Sequence, residues 1–130
     1  MSIIKSSTDP GAGRLGSLHL SNIPFNVKRI YWVTDFVPGV KRGNHAHKTL
    51  KQVMFSVRGE IKVSLRVGTV ESFYKLDPNS NPLQVPPGVW RVFESLSNDS
   101  VLMVIASQEY DESDYIRNYQ EYLEWFRGQI

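Results

Sequence analysis

Gly39-Val-Lys-Arg-Gly-Asn-His45-Ala-His47-Lys-Thr-Leu-Lys-Gln52-Val-Met-Phe-Ser-Val-Arg-Gly59 is the stretch on which the reading of this chain turns. Side chains alternate along a β-strand, so His45 and His47, two positions apart, project from one face and bring both imidazoles into one space. Gly59 marks a tight corner, and beyond it Ile61, Val63, Leu65 and Val67 alternate with Lys62, Ser64 and Arg66, the pattern of a half-buried strand. Histidine is as common in structural roles as in acid and base roles, so the pair by itself leaves both readings open.

Upstream, KRIYWVTD is rich in β-branched and aromatic residues and predicts a strand, and the VPGVKRGN that follows is turn chemistry with Pro38, Gly39 and Gly43. Downstream, short strands are expected at Val70 to Leu76, Leu83 to Val85, Trp90 to Glu94 and Val101 to Ser107, separated by DPNSNP, PPG and SND. Many short strands at such spacing predict an all-β antiparallel barrel or sandwich. Residues 1–17 mix Ser, Gly and Pro without periodicity and are expected to form an N-terminal loop. From about 111 to 127 the period changes: Ile116, Tyr119, Leu123 and Phe126 share one face of an amphipathic C-terminal α-helix, with Asp111, Ser113 and Asp114 offering capping chemistry.

The 130 residues are 41% hydrophobic, enough for one sizeable core and too few for two ordinary domains, so residues 1–130 are expected to be a single domain. The chain has no cysteine, which excludes disulfides and thiolate metal sites. No apolar run approaches the roughly 20 residues of a membrane span and no signal peptide is legible, so a cytoplasmic protein is expected. Net charge is only +2 with the basic residues dispersed, which points away from nucleic acid but suits a small anionic ligand held by a few guanidinium groups.

The spacing of Gly39, His45, His47 and Gly59 resembles the first motif of the cupins, with Gln52 standing where that motif has glutamate. Pro86-Pro87-Gly88-Val89-Trp90-Arg91 resembles the second, with Arg91 in the place of the third histidine. Both departures fall on metal ligands, and a guanidinium does not deprotonate to bind a cation, so a site without metal is expected. RGNHAHKTLKQ, VPPGVWR and VLMVIASQEYDESDYIRNYQEYLEW together are similar to the FdtA-like and QdtA-like dTDP-4-keto-6-deoxyglucose 3,4-ketoisomerases, from about Asn22 to near Trp125.

That resemblance implies a single-domain cupin, a jelly-roll barrel acting as a homodimer without metal or organic cofactor. Its substrate would be a dTDP-linked keto-deoxysugar, its place the deoxysugar supply of a lipopolysaccharide or S-layer glycan. A base removes the C3 proton, acidic because it is alpha to the C4 ketone, and a proton returned to C4 through an enediol leaves the ketone at C3. His47 is expected to be the base and His45 its partner, with the order open to reversal. Arg42 is a candidate for the diphosphate or the developing oxyanion, with a solvated loop arginine as its equal alternative. Arg29 and Tyr31 share a strand face, and one of them is expected to touch substrate. Gln52 and Arg91 join the pocket if the cupin register holds. Trp32 reads as barrel core or dimer interface, and Trp90, Tyr115, Tyr119 and Tyr122 as packing. The competing readings are a 3,5-epimerase, which begins with the same kind of proton removal, a non-catalytic sugar-nucleotide-binding cupin, and a metal-dependent cupin.

Overall fold

The computed structural model describes residues 4–130. Its strands are β1 (Ile4–Asp9), β2 (Gly13–Leu18), β3 (Arg29–Val33), β4 (Lys41–His47), β5 (Gln52–Arg58), β6 (Ile61–Val67), β7 (Val70–Leu76), β8 (Leu83–Val85), β9 (Trp90–Ser95), β10 (Val101–Ala106) and β11 (Tyr115–Ile116), followed by the helix α1 (Tyr119–Gly128). A four-stranded sheet in the order β3-β10-β5-β8 faces a five-stranded sheet in the order β11-β4-β9-β6-β7, with every pairing antiparallel. This is the expected all-β architecture with one C-terminal helix.

The alternation read in β6 is what assembles the core. Ile61, Val63 and Leu65 are buried while Lys62 stays exposed. They meet Met54, Leu76, Val85, Phe93, Leu102 and Val104 between the two sheets. Burying apolar area between sheets stabilises by roughly 25 cal/mol per Å², and the alternation aims one side of each strand at that space. At the corner, Gly59 has φ +77°, and a Cβ there would lie 2.3 Å from Ser100 Oγ, so only glycine lets β5 turn into β6.

Two sequence expectations are corrected. The N-terminal segment is not a loop in its described part: β1 and β2 pair over Ile4↔Leu18 to Asp9↔Gly13, while positions 1–3 of the expected loop lie outside the described residues. The hairpin is largely exposed and lacks an apolar face, so it carries none of the alternation by which a strand is recognised. Its turn rests on Gly11 and Gly13 at φ 84° and 118°.

The C-terminal helix begins at Tyr119 and not near 111, because Asn118 is its N-cap, accepting from the Glu121 N–H. Asp111 instead caps a 3₁₀ turn over Glu112–Asp114 by accepting from Ser113 N–H, and β11 then pairs Tyr115 with His47 and Ile116 with Ala46. Ile116 still joins Tyr119, Leu123 and Phe126 against Trp90, Ala46 and Tyr122, but from a strand. Trp32 is 64% exposed and is not part of this chain's core.

Candidate active site

His45 and His47 lie on β4, whose intervening residue Ala46 faces the opposite way, into the cluster beneath α1. Their rings stand edge to face with centroids 4.9 Å apart, on the inner side of the five-stranded sheet. An open cavity of about 530 Å³ lies before them, with His45, Arg29, Tyr31, Arg42, Tyr115 and Arg117 in its wall. Its apolar floor is Val33, Phe93, Leu102 and Val104.

A β-bulge brings Arg42 to this cavity. Gly43 pairs with Val92 and His45 with Arg91, so Asn44 is the extra residue, held at φ 56° beside Gly43 at φ 99°. In a regular strand, residues three apart point to opposite faces. Here the inserted residue restores the parity, and Arg42 and His45 share the cavity. A Cβ on Gly43 would come within 3.1 Å of both the Arg91 carbonyl and the Phe93 ring, so the bulge needs glycine for space as well as for conformation.

His45 and His47 are not equivalent. His47 is 1% exposed and lies behind the cavity wall; its Nδ1 is 3.3 Å from Asp114 Oδ2. The same carboxylate accepts from the Thr49 N–H and hydroxyl and from the Leu50 N–H, which leaves it one role toward His47, that of acceptor from Nδ1–H. The network therefore sets the tautomer, and Nε2, buried and without a partner, keeps its lone pair. Burial, followed by the Arg91 guanidinium, pushes His45 down to about 4. The same causes, with His45 itself next, push His47 to about 2, against the opposing pull expected of the adjacent Asp114 carboxylate. Both imidazoles are neutral at neutral pH.

The sequence-predicted residues divide in two. Arg29, Tyr31, Arg42 and His45 are brought together in the cavity wall. Gln52 and Arg91, each 1% exposed, sit deeper between the sheets. Arg91 donates through Nη1 to Gln52 Oε1 and through Nη2 to the Val89 carbonyl at 3.3 Å. Gln52 Nε2 donates to the Tyr31 hydroxyl at 2.8 Å. Of the two histidines expected to act as base and partner, His45 is in the wall, and His47 stands behind it with Nδ1 toward Asp114.

Three further residues belong here. The Tyr115 ring lies 4.2 Å from His47 and 5.0 Å from His45, Arg117 stacks on Tyr115 at 4.1 Å, and Asp114 holds His47. Asp114 and Tyr115 read from sequence as helix-start and packing residues. The signal that could have found them was the specificity of the YDESDYIR block, in which they stand three and two positions before Arg117. A divalent cation does not suit this donor set. Among the described residues no three His, Cys, Asp or Glu side chains converge, and the guanidinium at the third-ligand position offers only donors and a fixed positive charge.

Comparison with known proteins agrees with the geometry. The chain matches the family described as FdtA, WxcM-like, C-terminal, over residues 1–127. It is 43% identical over 101 residues, 78% of this chain and 73% of the other, to the TDP-4-oxo-6-deoxy-alpha-D-glucose-3,4-oxoisomerase of Aneurinibacillus thermoaerophilus. It superimposes with a TM-score of 0.89 on QdtA, a sugar 3,4-ketoisomerase from Thermoanaerobacterium thermosaccharolyticum solved with TDP, at 35% identity over 99% of this chain and 94% of that one. A 3,4-ketoisomerase from Helicobacter canadensis follows at TM-score 0.84 and 33% identity, over 98% of this chain and 99% of that one. The cupin strand order, the paired histidines and the match across nearly the whole length lead to one assignment: this chain belongs to the FdtA family, whose members named above are sugar 3,4-ketoisomerases.

Proposed function

We propose that this chain moves the ketone of TDP-4-keto-6-deoxyglucose from C4 to C3, with His45 as the residue that meets the sugar and His47 as its partner. It is an enzyme of the 3,4-ketoisomerase class, as its relatives are. The observation that carries the residue assignment is a neutral imidazole in the wall of a cavity that also presents the guanidinium groups of Arg29, Arg42 and Arg117.

The chemistry follows from that arrangement. The ketone at C4 acidifies the C3 proton, and His45, uncharged at working pH, takes it. The charge moves to the C4 oxygen as an enediolate. A proton delivered to C4 and one lost from the C3 hydroxyl complete the exchange, so that C3–H and O3–H break while C4–H and O4–H form. Positioned proton transfer of this kind contributes roughly 10²–10⁴-fold. Arg42 supplies positive charge for the diphosphate, Arg117 is paired with Glu112 at 2.7 and 2.8 Å and holds Tyr115 in place, and Arg29, its guanidinium 4.6 Å over the Tyr31 ring, braces that aromatic wall.

Purified protein incubated with TDP-4-keto-6-deoxyglucose in deuterated water tests the reading by proton NMR. The expected result is a relocated ketone with deuterium at C4, and at least a 10²-fold loss in both His45→Asn and His47→Asn. An inverted C5 centre would instead identify a 3,5-epimerase, and tight binding without exchange would identify a sugar-nucleotide-binding cupin.

The working unit we propose is a homodimer, supported by Ile30, Trp32 and Val57, which stand exposed on the outer face of the four-stranded sheet. Trp32→Glu should then shift the sedimenting species toward monomer, and a wild-type chain that sediments as a monomer removes the dimer. No described helix is long and apolar enough to cross a membrane. The substrate is an activated sugar nucleotide, and we place the reaction in the cytoplasm, which cell fractionation checks.

A further inference from the structure

Arg91 is a wholly buried cation without a carboxylate partner. It is 1% exposed and makes no ion pair among the described residues, its Nη atoms donate to a neutral amide and a backbone carbonyl, and its Nε has no partner. Burying a charge in such surroundings is expensive unless something negative repays it. The chain of contacts leading from it shows where that negative charge would arise.

A guanidinium has donors only, so Gln52 must offer it the amide oxygen, Oε1. That choice turns Nε2 toward Tyr31, where it donates to the phenol oxygen at 2.8 Å. A phenol oxygen engaged as acceptor from within the protein directs its own O–H elsewhere, and Tyr31 stands in the cavity wall beside His45. The contacts run from β9 across the interior to β5 and then to β3, so both sheets fix the orientation of one hydroxyl proton. Arg91 also lies opposite His45 in register, which places the cation behind the reacting sugar.

We propose that Arg91 and Gln52 form a positioning relay that holds the Tyr31 hydroxyl as a hydrogen-bond donor to the substrate oxygen that becomes negative in the enediolate. The relay occupies the positions at which a metal-binding cupin would carry two of its ligands, and it delivers positive charge to the oxyanion through two neutral groups. A donor already aimed at the place where charge develops needs no reorganisation during the reaction. The proposal rests on the ketoisomerase reading above and names Tyr31 as the group that touches the oxyanion, with Gln52 and Arg91 acting through it.

The isosteric Gln52→Glu variant tests it. A carboxylate satisfies Arg91 but can only accept, so the Tyr31 proton turns inward and the phenol presents lone pairs to the cavity. All assays contain chelator, since the new carboxylate with His45 and His47 could capture a metal. Loss of one oxyanion donor costs roughly 10²–10³ in kcat. We expect a loss in that range for Gln52→Glu and for Tyr31→Phe, with the affinity for TDP, measured by calorimetry, unchanged in both. Because both changes remove the same hydrogen bond, the double variant should be no slower than about threefold below the slower single one.

Multiplicative losses in the double variant overturn the relay, as does wild-type kcat in Gln52→Glu. A Tyr31→Phe variant with kcat within about twofold of wild type overturns it whether or not Gln52→Glu folds. Wild-type protein that fails to isomerise the sugar overturns the ketoisomerase reading and the relay with it, whereas an active wild type with an unaffected Gln52→Glu removes only the relay.

Discussion

Asp114 concentrates more of the site in one side chain than any residue singled out from sequence. Its carboxylate accepts from Thr49 twice and from Leu50, and faces His47 Nδ1 at 3.3 Å. In Asp114→Asn the oxygen stays with Thr49 and the amide NH₂ turns to Nδ1, which moves the His47 proton to Nε2. Changing the tautomer of a catalytic histidine in this way can lower activity by up to about 10⁴-fold, and we expect a fall of roughly 10²- to 10⁴-fold in kcat/KM with TDP affinity retained. Activity close to wild type would show that His47 has no part in proton transfer. The sequence places a capping residue here, because an Asp followed by an amphipathic run is chemically indistinguishable from one that turns back to a strand 67 positions away.

The strand β4 carries its function in an irregularity. With Asn44 as the extra residue and Gly43 at φ 99°, where a Cβ would lie 3.1 Å from the Phe93 ring, Gly43→Ala strains the backbone and crowds the ring. Such strain costs about 1–3 kcal/mol, to be read from the urea midpoint, and the variant should lose turnover further as Arg42 and His45 diverge. The helix α1 is fixed by Tyr122, which is 0% exposed and whose hydroxyl accepts from the Gly68 N–H and lies within 3.0 Å of the Arg66 and Gly88 carbonyls. Gly88 in turn donates its N–H to the His47 carbonyl. Tyr122→Phe leaves these buried groups short of a partner, and we expect a loss of about 1–3 kcal/mol in chemical denaturation. Regular strands such as β6 were legible because alternation reports burial directly. The bulge was not, since Gly-Asn reads as a turn wherever it occurs.

At the scale of the molecule, the buried neutral histidines couple stability to pH. His45 and His47 titrate near 4 and 2 when folded and near 6.5 when unfolded, so between those values the unfolded chain binds more protons. Stability therefore rises with pH up to about 6.5 and falls as acid is added, steeply between 6.5 and 4 where both groups contribute. Melting temperatures across pH 4 to 7 check the sign, and in His45→Asn the slope over that interval should become shallower. By the same depressed values, the acidic limb of kcat/KM should lie below 6.5. A limb at 6.5 would mean that the catalytic base is exposed to water in the free enzyme.

Sequence alone determined the antiparallel all-β class, the presence of a C-terminal helix, and the one strand face that His45 and His47 share, because strand and helix periods follow from local backbone geometry. The resemblance carried by its motifs determined the family. The tertiary structure decided which histidine stands at the cavity, that Asp114 holds the other, that Tyr115 and Arg117 complete the wall, and that residues 4–18 form a hairpin. Each of these depends on segments distant in the chain meeting across the two sheets, or on backbone pairing with no apolar pattern to announce it. Neither leaves a periodic trace in the order of residues.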